Sequence, residues 1–302
     1  MTRFSAICFL ALPMLVPAAY AGIIGTDLSV FSVLGATPAV TNTGATTLTG
    51  DLGVSPAASI TGKATITVNG TNAATSGNPF VHEGDATATS AQSELAVAMT
   101  DLGLLGPGTT EGVDLAGLTL PPGVYTVLAG VSNLTGTLTL DGLGNANTFW
   151  VFQMPSSFIT STGSAVDLIN TGPGAGVYWN IGSSATLNSS TTFEGNILAS
   201  TSITMGDGVT IGCGRALANT GDVTMIHDTI SIGCTTDLGG STPLLAGSTG
   251  LSGGLTVTPG AGGTGTPVPL PFAPTVPEPS SFALLSSAIG ALLLSRKFRR
   301  VH

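Results

Sequence analysis

The chain has 302 residues, 43 of them glycine, yet it is 42% hydrophobic and only 8% charged, which is enough apolar content to fill a core and excludes a disordered polymer. Seven Lys and Arg stand against sixteen Asp and Glu, a formal charge of −9. Arg3 belongs to the N-terminal leader and Arg296, Lys297, Arg299 and Arg300 crowd the C-terminus. The body between keeps only Lys63 and Arg215, too few cations to track phosphates, which excludes nucleic-acid binding.

Residues 1–21, "MTRFSAICFLALPMLVPAAYA", place Arg3 before an apolar run and small residues Ala19 and Ala21 before Gly22. This is the pattern of a secretory signal peptide cleaved after Ala21. The folded domain is expected over residues 22–237. Within it, residues 83–103 repeat apolar side chains at helical spacing (Ala88, Ala91, Leu95, Met99, Leu102), with Asp85 near the start and Gly103 at the end. At 1.5 Å per residue such a helix is roughly 27 Å long.

The rest of the domain reads as a degenerate repeat. "VSNLTGTLTLDG" (131–142), "PSSFITSTGSAVDLI" (155–169), "GSSATLNSSTTFEGN" (182–196), "TSITMGDGVTIGCG" (201–214) and "GDVTMIHDTISIGC" (221–234) align at spacings of 26, 27, 18 and about 20 residues. The N-terminal "TTLTGDLGVSPAASITG" (46–62) mirrors "TTFEGNILASTSITMG" (191–206). Short strands broken by Gly and Asn corners at this period predict an all-β fold, a β-solenoid with one long helix alongside. Coils stack at about 4.8 Å, so the helix spans five or six of them and lets the N-terminal coil join the last one built. Leu134, Thr160, Leu187, Met205 and Met225 share one core column, and Leu140, Val166, Phe193 and Ile211 another. Tyr125, Val151 and Tyr178 are expected to face outward under Leu95, Met99 and Leu102 of the helix. Cys8 leaves with the leader. Cys213 and Cys234 each end an "IGC" tripeptide, and in neighbouring coils their thiols would lie close enough to bridge. With no His beside them, no metal and no cofactor is expected.

Residues 238–275 are rich in Gly, Ser, Thr and Pro with no charge, the composition of a linker. Residues 276–302 carry Pro277, Glu278 and Pro279, then the apolar run Phe282 to Leu294, then the basic cluster. That order resembles the PEP-CTERM sorting signal of Gram-negative bacteria. The resemblance implies processing by a membrane protease, an exosortase, with transient anchoring in the inner membrane and a final place outside the cell or on its surface.

The ordered motifs "VTNTGATTLTGDLGVSP", "LTLPPGVYT", "TFWVFQM", "GSSATL", "FEGNILA" and "GRALA" span the domain, and with them the chain resembles the bacterial and fungal ice-binding protein family. The resemblance implies an irregular right-handed β-helix of triangular section, and ice as the partner. The residues expected to present the ice surface form two outward columns. One holds Asn133, Ile159, Thr186, Thr204 and Thr224. The other holds Thr139, Ala165, Thr192, Thr210 and Ser231, with Thr47 in the equivalent N-terminal place. Threonine is stiff at χ1 and column neighbours stand about 4.8 Å apart, so methyls and hydroxyls form a fixed array that can order water. The competing reading is a surface adhesin or matrix protein holding polysaccharide on the same flat face. An enzyme is not expected: Asp141, Asp167 and Glu194 are read as one carboxylate column on a solvated rim, and His82 and His227 stand alone.

Overall fold

The computed structural model describes residues 21–128, 130–234, 247–259 and 265–271. The leader, Pro277, Glu278, Pro279 and the basic tail lie outside the described residues.

Short β-branched segments separated by Gly, Asn and Asp corners cannot bury an apolar face alone, so they stack. Seven parallel strands make the first face, in the spatial order Ser132–Leu134, Phe158–Thr160, Ala185–Leu187, Ile203–Met205, Val223–Ile226, Val40–Thr43, Ile60–Thr61. The second face stacks Thr137–Asn145, Ala165–Thr171, the first parts of Thr192–Ala199 and Thr210–Ala218, then Thr229–Ser231, Thr46–Thr49 and Ile66–Val68. Gly123–Val127, Phe149–Met154, Gly176–Ile181, the later parts of the two long strands, Phe31–Gly35 and Asp51–Val54 make the third. In the two central coils one strand rounds the corner from the second face to the third without a break. Gly195 makes that corner, at φ +103 and with the Val177 side chain lying where a Cβ would go. The N-terminal coils do join the last repeat: Val40 pairs with Val223 and Thr47 with Thr229.

The interior follows the period-two alternation. Leu134, Leu187, Met205 and Met225 are fully buried in one column. Thr160 belongs to it and is satisfied there, its hydroxyl 2.8 Å from that of Thr191. The second core column contains Leu138, Val166, Phe193, Ile211, Ile230 and Leu48; Leu140 lies one step along and pairs with Leu168. An aromatic stack runs through the third side, with Phe152 and Trp179 ring centres 4.1 Å apart and Trp179 and Phe193 at 4.9 Å.

The helix runs from Ala86 to Gly103, its N-cap Asp85 accepting the Ala88 N–H at 2.9 Å. Ala88, Ala91, Leu95, Ala98 and Leu102 are buried against Val151, Tyr178, Leu198, Leu217 and Leu34. Amide side chains of the third face tie it down: Gln153 donates to the Leu102 carbonyl, and Gln92 of the helix donates to Gly35 and Ala218. Tyr125 is not under the helix. It pairs with Phe152 and points inward onto that ring, and Val124 takes the outward place beside Val151. The register read from the sequence was off by one at this strand, which moves a side chain to the opposite face.

Part of the stretch whose composition reads as linker is packed onto the solenoid. Leu255–Pro259 and Gly265–Pro269 form an antiparallel hairpin, extended by Ala21–Gly22. Leu251 is buried in the main core of the solenoid and Leu255 in the apolar cluster beneath the helix. Arg215, fully buried, holds this segment through its carbonyls: one guanidinium nitrogen donates to Asn196 Oδ1 and the Gly250 carbonyl, the other to the carbonyls of Ser29 and Thr249. The Tyr178 hydroxyl donates to Gly253 and the Asn196 amide to Leu251. Burial lowers the Arg215 pKa to about 10, leaving it charged at neutral pH and dependent on those acceptors. A chain ending at residue 237 should therefore be less stable than one ending at residue 271, because it loses the buried Leu251 and Leu255 and opens the Arg215 site to water, at roughly 1.5–3 kcal/mol for each fully buried apolar side chain. Denaturant unfolding of the two chains measures the difference.

Candidate functional site

Among the described residues no element covers the first and second faces along most of their length, and their outward side chains form columns set by strand register. On the first face each three-residue strand presents its middle residue. The column runs Asn133, Ile159, Thr186, Thr204, Thr224, Thr41, Thr61. Five consecutive threonines thus stand at strand spacing, and Thr41 and Thr224 bring their hydroxyls to 3.1 Å of each other. Thr186, Thr204 and Thr224 fall in the column expected for them; Thr41 and Thr61 extend it.

On the second face the column runs Thr137, Ala165, Thr192, Thr210, Thr229, Thr47, Thr67. Thr192, Thr210 and Thr47 occupy it as expected. Thr139 and Ser231 do not: Thr139 pairs with Asp167 and Ser231 with Thr49, two residues further along the same face. The cause is corner length. From inward Leu187 to inward Phe193 is six residues, but Leu134 to Leu138 is four and Met225 to Ile230 five. An ungapped alignment slides by two at the first, and a two-residue slide preserves inside and outside, so alternation gives no warning. Thr41 had a signal in the mirrored N-terminal coil, where "VTNTGATTL" (40–48) matches "ATLNSSTTF" (185–193) position by position; Thr61 and Thr67 lie beyond that match.

The two columns flank one corner, with partners five or six positions apart: Thr186 and Thr192, Thr204 and Thr210, Thr224 and Thr229, Thr41 and Thr47, Thr61 and Thr67. The corner is held from inside by side chains that replace the missing ladder. Buried Asp228 accepts the N–H groups of Val209 and Ile226 at 2.9 and 2.7 Å, and burial raises its pKa to about 7. Outside it, His227 and Asp207 meet at 2.8 Å.

The carboxylate column does not form. Asp141 pairs with Ile169, not with Asp167, and its Oδ1 accepts from Leu143 and Asn170. Glu194 is buried at a bulge between Phe193 and Glu194 and pairs with Cys213. Burial pushes its carboxyl up to about 8, and the Asp167 charge adds to the shift. Cys213 and Cys234, in adjacent coils, are disulfide-bonded with Cα atoms 4.7 Å apart. Among the described residues no three His, Cys, Asp or Glu side chains gather as a metal site.

A three-sided stack of parallel coils with a helix along one side and threonine columns on the other two defines a class. The Ice-binding-like family model matches residues 34–231, and the chain belongs to that family. It is 43% identical over 220 residues to the ice-binding protein of Nostoc sp. (strain HG1), covering 72% of this chain and 77% of that one. Among solved structures, it is similar to the ice-binding protein of the Antarctic ascomycete Antarctomyces psychrotrophicus, with TM-score 0.62 and 32% identity over 70% of this chain and 98% of that one. An ice-binding protein from an Antarctic biological consortium aligns with TM-score 0.62 and 34% identity, covering 70% of this chain and 91% of that one.

Glu194 gives a pH signature. Its carboxyl has a higher pKa folded than unfolded, so its stabilising contribution is complete below about 4.5 and is lost as the pH rises through about 8. Glu194→Gln keeps the shape without the charge. It should be more stable than the parent at pH 8, on the order of 2–4 kcal/mol by linkage, with the difference shrinking toward pH 5. Melting temperatures across that range check this.

Proposed function

We propose that the protein adsorbs to ice through the threonine columns of the first and second faces and so restrains ice growth and recrystallisation. The observation that carries this reading is the unbroken ladder Thr186, Thr204, Thr224, Thr41, Thr61, uncharged and rigidly spaced by the sheet. Neighbours about 4.8 Å apart lie close to the short repeat of hexagonal ice. The stiff χ1 of threonine holds methyls and hydroxyls in one arrangement, so water ordered over them has little entropy left to lose on docking. The names of the relatives support ice as the partner. Asn133, Ile159 and Ala165 interrupt the two columns at one end, so the threonine lattice is most regular over the coils holding residues 185–230 and 40–67.

Thr204→Lys or Thr210→Lys should abolish or sharply reduce thermal hysteresis, because a hydrated ammonium would stand where ordered water must lie. Folded stability should change by less than about 0.5 kcal/mol, as for an ordinary exposed strand site. Asp141→Lys, off both columns, is the control and should keep activity. Equal hysteresis in the parent and both Thr variants, all folded, removes these faces as the ice surface. A parent protein inert toward ice growth and recrystallisation removes ice as the partner and favours an adhesin.

The leader of residues 1–21 and the Pro277, Glu278, Pro279 tail support a further part of the proposal: export, then processing by an exosortase at the inner membrane, with the domain left outside the cell or at its surface. Mass spectrometry of the exported protein should find an N-terminus at Gly22 and a C-terminus near Pro277. An intact tail on the exported protein would argue for simple membrane anchoring.

A further inference from the structure

Beyond the two threonine faces, the described residues form a cleft of about 720 Å³ at the N-terminal end where the second face meets the helix face. That volume lies in the range of about 300–1,000 Å³ common for small-ligand sites. One wall is apolar: Val30, 40% exposed, with Phe80 and Ile232. The other carries Asp51, Asn69 and exposed Thr49. Asp51 is poorly satisfied for a half-buried carboxylate. Its Oδ1 accepts from Asn69 Nδ2 at 3.2 Å and its Oδ2 meets His82 Nε2 at 3.4 Å, both long for charge-assisted bonds. His82 is held more closely by Asp85, at 2.8 Å. Burial raises the Asp51 pKa, so the group sits where a further hydrogen-bond donor would be welcome.

We propose that this cleft binds a neutral saccharide, with one ring face laid on Val30 and Phe80 and ring hydroxyls donated to Asp51 and shared with Asn69 and Thr49. An apolar wall facing an under-satisfied carboxylate and an amide matches a ligand with one apolar face and a rim of hydroxyl donors. Anionic ligands are disfavoured. Among the described residues no Lys or Arg lines the cleft, the His82 ring at its edge is already engaged by Asp85 and Asp51, Lys63 is paired with Glu83 at 2.7 Å, and Arg215 is buried under the C-terminal hairpin segment. The cleft and the threonine columns are separate sites, so sugar and ice readouts fail independently.

The test is titration of the full chain with glucose, galactose, mannose, N-acetylglucosamine and their β-linked dimers and trimers, followed by saturation-transfer NMR and calorimetry. At least one neutral sugar should bind saturably, and its oligomer more tightly. Val30→Glu, which changes an exposed side chain and no internal bond, should weaken binding tenfold or more, as should Asp51→Ala. Both should keep the parent's melting profile and its inhibition of ice recrystallisation. No saturable binding of any of these sugars overturns the proposal. So does unchanged affinity in a folded Val30→Glu variant, or tighter binding of glucuronate or sulfated sugars than of neutral ones.

Discussion

The parallel backbone ladder is the interaction on which everything else in the molecule depends. It holds successive coils at one strand spacing, so any residue type repeated once per coil becomes a column with a fixed period. Leucine, isoleucine and aromatic residues repeated on the inward positions give a core continuous along the stack. Threonine repeated on the outward positions gives a lattice. The protein needs no precise placement of individual side chains by tertiary packing; translation along the stack does the placing, and the χ1 preference of a β-branched residue does the rest.

That arrangement explains which residues are allowed to be irregular. The third face is covered by the helix and the C-terminal hairpin, so it can carry Tyr178, Asn196 and Arg215 in neighbouring coils, each bonded to a covering carbonyl. Such polar, long side chains on an uncovered face would break the periodic surface. The two open faces are confined to small or β-branched residues over most coils, and the acid Glu194 is buried at a bulge beside the disulfide. The division of labour among faces follows from which of them is covered.

Much of this was legible in the residues alone. The helix was visible because Ala88, Ala91, Leu95 and Leu102 recur at its period, and the core columns because Leu187, Met205 and Met225 sit at matching places in obvious repeats. What was lost was lost at corners. Corner length is set by local turn chemistry and buried caps such as Asp228, neither of which leaves a periodic trace, so Thr139 and Ser231 stood in for Thr137 and Thr229. The slip at Tyr125 is of another kind: aromatic residues fit either side of a covered sheet, so residue type alone does not say which way the ring points. The packing of residues 247–259 and 265–271 was invisible for a third reason. Their anchoring comes from Arg215, Asn196 and Tyr178 of the solenoid, and composition reports only on the segment itself.

The long helix has a consequence for the order in which the molecule can assemble. It carries the chain from the coils of residues 31–83 to the opposite end of the stack, and the remaining coils are then laid down back toward the start. The strand at Val40 meets its inner neighbour only when Val223 arrives, and the hydroxyls of Thr41 and Thr224, which lie side by side, are 183 residues apart in the chain. A chain emerging from its N-terminus holds the first coils as an unsupported fragment until the final repeat closes on them. Closure is a long-range event of the slow kind expected for high contact order. The middle of the lattice is therefore the seam where the two ends of the domain meet, and it is the last part of the surface to come into being.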